Sequence, residues 1–168
     1  MTAFVGVAGA YKTMAAAFVG VGGAYKTVAK GWVGVAGAWK VFYEALVIAL
    51  PASITETKLV ASPGTADATL IFSSDGTYAA GDGSPSGNWA APGSVGIGAG
   101  YDIRWVTSTG TLSTGTADTW QSLSSARTYG RNRTGVGSNE ATGSIQIRDA
   151  VTLSTLTTSS GTLTAEVF

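Results

Sequence analysis

Two hydrophobic patterns divide this chain. Before Pro51 it repeats itself: Phe4-Val5-Gly6-Val7 returns as Phe18-Val19-Gly20-Val21 and again as Trp32-Val33-Gly34-Val35, fourteen residues apart each time. Each copy passes through a small pair (Ala8-Gly9, Gly22-Gly23 or Ala36-Gly37) and ends in an aromatic and a lysine: Tyr11-Lys12, Tyr25-Lys26 and Trp39-Lys40. Short β-prone runs on both sides of a Gly-containing pair predict a β-hairpin. Each unit between residues 3 and 40 therefore reads as two strands and a tight turn. In that register Gly6 faces Tyr11, Gly20 faces Tyr25 and Gly34 faces Trp39. A ring laid across a glycine covers backbone that glycine leaves bare. Phe4 shares that face, and Val5, Val7 and Lys12 share the other. A glycine-rich helix is the competing reading, and for residues 41 to 50 the choice stays open.

After Pro51 the pattern becomes short alternating runs between turn signals. Thr57 to Ala61, Ala68 to Ser73 and Thr77-Tyr78 read as strands, the last following an Asp75-Gly76 turn. Tyr101 to Val106, Thr119 to Thr128, Ile145 to Arg148, Leu153 to Thr157 and Thr162 to Val167 complete the set. Seven or eight short strands with a turn every ten residues or so predict a β-sandwich over residues 54 to 168. The stretch from Ala79 to Ala99, rich in Gly, Pro and Ser, reads as one long loop, and loops of that length are usually functional or mobile. The predicted class is thus mainly β, with hairpin repeats over residues 1 to 50 followed by a sandwich.

Charge divides at the same place. Four lysines against Glu44 give residues 1 to 50 a charge of +3, and the remainder carries −3, so the chain is neutral. Charged residues are only 12% of 168, about half the usual share. Three apolar hairpins in series cannot bury both of their faces alone, so this half reads as an assembly element that needs neighbouring chains. Phe4, Tyr11, Phe18, Tyr25, Trp32 and Trp39 are its candidate contact residues. The chain has neither histidine nor cysteine. That removes the commonest catalytic base, thiol nucleophiles, disulfides and thiolate metal sites. Trp32 to Leu50 is the most apolar stretch, but Lys40, Glu44 and Pro51 argue against a membrane span. No basic segment precedes Phe4, so the start does not read as a secretory signal.

Candidate chemistry is sparse. Arg127, Tyr129, Arg131 and Arg133 alternate, so on a straight strand they share a face able to grip phosphate or an acidic glycan. A Gly130 bulge or a solvent face paired with acids is the plain alternative. Trp89 beside Asn88 in the long loop offers an aromatic platform and an amide for a sugar, whereas Trp105 and Trp120 read as core. Asp75, Asp82 and Asn88 could offer oxygens to calcium, but their spacing suits turns better. Asp102, Asp118, Glu140 and Asp149 show no spacing that singles out a catalytic pair. No cofactor, metal or enzymatic activity is expected, and neutrality argues against nucleic acid as the main partner.

The repeats at 18–26 and 32–40 resemble those of virion proteins of tailed bacteriophages, often tail-fibre or tail-tip proteins. The tract from Tyr101 to Trp105, then Trp120 to Tyr129, then Ile145 to Asp149 is similar to Ig-like modules appended to such proteins. The resemblance implies a structural virion subunit made in the bacterial cytoplasm, with an Ig-like sandwich displayed outward. Its implied partners are copies of itself, other virion proteins and a host cell-surface glycan, with a trimer favoured by fibre analogy. A carbohydrate-binding adhesin module and a capsid decoration protein are the competing functions. No catalytic residue is implied.

Overall fold

The computed structural model describes residues 4–7, 10–13, 18–21, 24–27, 30–35, 38–44, 47–91 and 97–168. It divides into two compact units, Met1–Leu46 and Val47–Phe168. The boundary therefore falls a few residues before the expected one. Residues after it are tied into the second unit: Ala49 donates to the Trp89 carbonyl, Leu50 to Thr157 Oγ1, and Ala52 accepts from the Ser160 amide.

The first unit contains three antiparallel ladders: β1 (Phe4–Val7) with β2 (Ala10–Thr13), β3 (Phe18–Val21) with β4 (Ala24–Thr27), and β5 (Lys30–Val35) with β6 (Ala38–Glu44). Gly6 stands opposite Tyr11, Gly20 opposite Tyr25 and Gly34 opposite Trp39. The third ladder is longer, has an irregularity between Gly31 and Trp32, and ends with Lys30 opposite Glu44. The turn pairs at 8–9, 22–23 and 36–37 lie outside the described residues. Residues 41 to 44 continue β6 as strand.

The second unit holds β7 (Val47–Ile48), β8 (Ser53–Val60), β9 (Thr65–Phe72), β10 (Thr77–Ala80), β11 (Ser86–Asn88), β12 (Ala90–Ala91), β13 (Tyr101–Thr109), β14 (Gln121–Ser122), β15 (Arg127–Thr134), β16 (Gly137–Asp149) and β17 (Thr155–Val167). Two sheets form, in the orders β11-β10-β9-β15 and β14-β13-β16-β17-β8, with a small β12-β7 ladder beside them. All pairs in the five-stranded sheet are antiparallel except β17 with β8, which run parallel. Three expectations need correction. The supposed loop from Ala79 to Ala99 contains β11 and β12, because Tyr78 and Ala79 pair with Gly87 and Ser86. Thr119 to Thr128 is not one strand: Gln121 and Ser122 add to the edge of β13, and Arg127 and Thr128 begin β15 in the other sheet. Residues 155–157 and 162–167 belong to one strand, because polar Thr158 and Ser160 alternate outward while Ser159 and Gly161 face in, and Leu153 and Ser154 lie before it.

Alternation builds the core. Ala66, Ala68, Leu70 and Phe72 point inward from β9, meeting Ile103 and Trp105 from β13, Ile145 and Ile147 from β16, and Leu163, Ala165 and Val167 from β17. Trp105 is fully buried and lies over a cross-strand glycine pair, Gly143 opposite Gly161. A Cβ on Gly161 would fall 2.6 Å from Trp105 Cζ3, and one on Gly143 would fall 2.6 Å from Trp105 Nε1. The glycines are what let the indole sit flat against the sheet.

Strand β8 closes the five-stranded sheet and presents an edge. Its inward residues include Glu56, only 2% exposed. Inward-pointing charges are one of the devices by which edge strands avoid pairing with another sheet edge. Burial raises the Glu56 carboxyl above its ordinary value, the Asp82 charge raises it further, and Lys58 offsets part of this. A carboxyl raised in the folded state binds its proton more tightly there than in the unfolded chain. Its contribution therefore favours folding at low pH and is lost as pH rises through the folded value. Glu56→Gln is expected to raise the urea midpoint at pH 7, with an advantage over the parent that shrinks toward pH 4. An advantage that grows on acidification would show that the carboxylate is favourably paired.

Candidate functional site

The arginine row does share one face, and that face is turned inward. Strand β15 pairs with β9 in continuous register from Arg127 opposite Phe72 to Thr134 opposite Thr65, with no bulge at Gly130. Tyr129 is fully buried, 6.3 Å from the Phe72 ring and 6.0 Å from the Trp105 ring. Burial pushes its phenol well above the ordinary value. The flanking guanidiniums bind backbone carbonyls: Arg127 Nε donates to Ser122 O of β14, Arg131 Nη1 to Thr111 O, and Arg133 to Gly135 O and Val136 O. Arginines at the ends of an inward row reach the rim with long apolar stems and clamp the backbone there. The row is a structural fastening, which corrects the ligand-gripping reading.

Trp89 is also corrected. It is fully buried, its Nε1 donating to Ser73 O at 2.9 Å and its ring meeting Tyr101 edge-on at 5.7 Å. Only Asn88, opposite Thr77 on the edge strand β11, is exposed. The pair therefore forms no sugar platform. Asp75 accepts from the Thr77 amide and hydroxyl, which lowers its carboxyl below the usual range. Asp82 caps its own turn at Ser84 and lies 3.7 Å from Lys58 Nζ. Asp149 holds the β16–β17 turn through the Val151 and Thr152 amides, which lower it likewise. Among the described residues no three metal-capable side chains come together.

What the fold does assemble is a charged aromatic corner on the outer face of the five-stranded sheet. On β13 and β16, Asp102 stands opposite Arg148, and Arg104 opposite Gln146. These four point away from the core, because Ile103, Trp105, Ile145 and Ile147 occupy the alternate inward positions. Trp120, expected in the core, instead lies against both guanidiniums, 4.4 Å from the Cζ of Arg104 and 4.4 Å from that of Arg148. Its delivery depends on Asp118, whose φ of 57° turns the chain. The Asp118 amide donates to Trp105 O, and its carboxylate accepts from the Thr107 amide. Gln121 and Ser122 then pair with β13 beyond the turn.

The two arginines of the corner differ. Arg148 is neutralised by Asp102, with Nε at 3.0 Å and Nη2 at 2.9 Å from the same carboxylate oxygen. Arg104 donates its Nε to the neutral amide of Gln146 at 2.9 Å. Among the described residues, no carboxylate lies within ion-pair distance of Arg104. Beside the corner the face is a field of hydroxyls in two cross-strand rows. Ser144, Ser160 and Ser53 form one, and Thr142, Thr162 and Thr55 the other. Thr109 extends the threonine row through a 2.6 Å hydroxyl contact to Thr142. The alternation of residues 101–106 and 145–148 placed these polar groups outward. It carried no sign that β13 and β16 are neighbours, or that Trp120 folds back over them.

No helix among the described residues is long and apolar enough to cross a membrane. Comparison with protein-family models, curated proteins and solved structures finds no match.

Proposed function

We propose that the protein is a structural subunit of a tailed-bacteriophage virion, of tail-fibre or tail-tip type, that assembles through its N-terminal repeats and displays an Ig-like sandwich outward. The observation that carries this reading is the contrast between the two units. The first consists of three two-stranded ladders at fourteen-residue spacing, and among the described residues none pairs with a further strand. A two-stranded ladder is marginal alone, so stability must come from stacking on other strands or other chains. The second has its own continuous core and needs no such help. Its connectivity supports the Ig-like assignment. Strands β9 and β15 lie side by side in one sheet, as B and E do, and β13, β16 and β17 are consecutive in the other, as C, F and G are. A buried tryptophan on β13, Trp105, supports the same reading, since Ig domains carry a core tryptophan on strand C.

The test compares native masses. The intact chain is expected to run as an oligomer, a trimer by fibre analogy, and a chain beginning at Val47 as a folded monomer. A monomeric, folded intact chain would remove the assembly role. Labelling of the chain on intact particles would then place it on the tail or, against this reading, on the head.

A further inference from the structure

We propose that the Arg104–Trp120 corner and the hydroxyl rows beside it form a binding face for an acidic polysaccharide, with the carboxylate of one sugar unit held by Arg104 and its ring stacked on Trp120. This goes beyond the virion reading and does not depend on it.

The corner is unlike the rest of the surface. In a chain with so few charges, two arginines and a tryptophan converge on one sheet face. One cation, Arg148, is matched by Asp102, and the other has only an amide and an indole beside it. A guanidinium held by its Nε retains its Nη edge for a planar anion, and a carboxylate fits that edge with two parallel hydrogen bonds. Saccharide rings present an apolar C–H face that packs on an aromatic, while their hydroxyls need polar partners. Ser144 follows Gln146 at the next outward position of β16, so the Ser144–Ser160–Ser53 row begins on the strand beside the cation, with Val106 holding the matching position on β13. Its hydroxyls repeat at about 4.8 Å between strands and about 6.8 Å along them. Such a grid offers an extended glycan regularly placed donors and acceptors across a flat face. Asp118 fixes Trp120 before any ligand arrives, which reduces the ordering that binding would otherwise require.

The chemistry also selects against alternatives. A neutral glycan would leave Arg104 without an anion. A single-stranded DNA offers anions to Arg104 but lacks the ring hydroxyls that the serine and threonine rows would meet.

The full chain is titrated with polygalacturonate oligosaccharides, with neutral dextran oligosaccharides and with a single-stranded oligonucleotide, following tryptophan fluorescence and heat. Saturable binding of polygalacturonate, at least tenfold tighter than dextran and weakened by added salt, is the expected result. Arg104→Gln and Trp120→Ala should each weaken it at least tenfold, and Thr162→Val by a few-fold. Cooperative urea unfolding is checked for every variant. Where Trp120→Ala loses it, Arg104→Gln and Trp120→Phe decide. No saturable binding of polygalacturonate, equal binding of dextran, tighter binding of the oligonucleotide, or folded Arg104 and Trp120 variants that bind like the parent would each overturn the proposal.

Discussion

Trp105→Ala is expected to lower the stability of the second unit by about 3–5 kcal/mol, the usual cost of deleting a buried tryptophan. The indole has no solvent exposure and touches both sheets, lying over the Gly143–Gly161 pair and 6.0 Å from the Tyr129 ring. Its loss leaves a void that glycines cannot fill, because neither has a side chain to move into it. A small compensation comes from the Nε1 group, which is buried without a hydrogen-bond partner among the described residues. Removing such a donor relieves a desolvation penalty. Trp105→Phe should therefore cost clearly less than Trp105→Ala. Urea unfolding followed by near-ultraviolet dichroism measures both. A loss below about 1 kcal/mol for the alanine variant would show that the core does not depend on this ring.

Gly143→Val is expected to be as damaging, for the opposite reason. A Cβ at that position would lie 2.4 Å from Val106 O as well as 2.6 Å from Trp105 Nε1. The second neighbour is a side chain, but the first is a carbonyl of the adjoining strand, and it cannot move without breaking the β13–β16 ladder. Overpacking of a well-filled core costs about 1–3 kcal/mol and more where backbone must shift, so this variant should sit at or above that range. Gly161→Val provides the internal comparison. Its Cβ would meet only side chains, Trp105 Cζ3 and Cη2 and Ile145 Cδ1. Combined with Trp105→Ala, Gly161→Val should be substantially rescued and Gly143→Val should not. Equal rescue of both in a double-mutant cycle would place the Gly143 clash on the indole alone.

The strand character of this protein was legible in its residues. Alternation in Ile145-Gln146-Ile147-Arg148 and in Ile103-Arg104-Trp105 separates core from surface, because successive side chains of a strand point to opposite faces. The common face of Arg127, Tyr129, Arg131 and Arg133 follows from that rule alone, and the outward position of Asp102, Arg104, Gln146 and Arg148 follows from it together with the apolar character of Ile103, Trp105, Ile145 and Ile147. Alternation does not say which face is inside. For the arginine row, the buried ring of Tyr129 decided it: an aromatic at the centre is drawn into the core, and its cationic neighbours follow to the rim. Nor does a local pattern report distant partners. Trp89 reads as exposed in a run of Gly, Pro and Ser, yet the pairing of β10 with β11 and the Ser73 carbonyl bury it. Trp120 reads as core, yet the turn at Asp118 lays it across two arginines that lie sixteen residues before it and twenty-eight after it. Periodicity is a property of one strand, and it fixed faces. The assembly of Arg104, Trp120 and Arg148 depends on which strands become neighbours, and only burial of the whole core selects that.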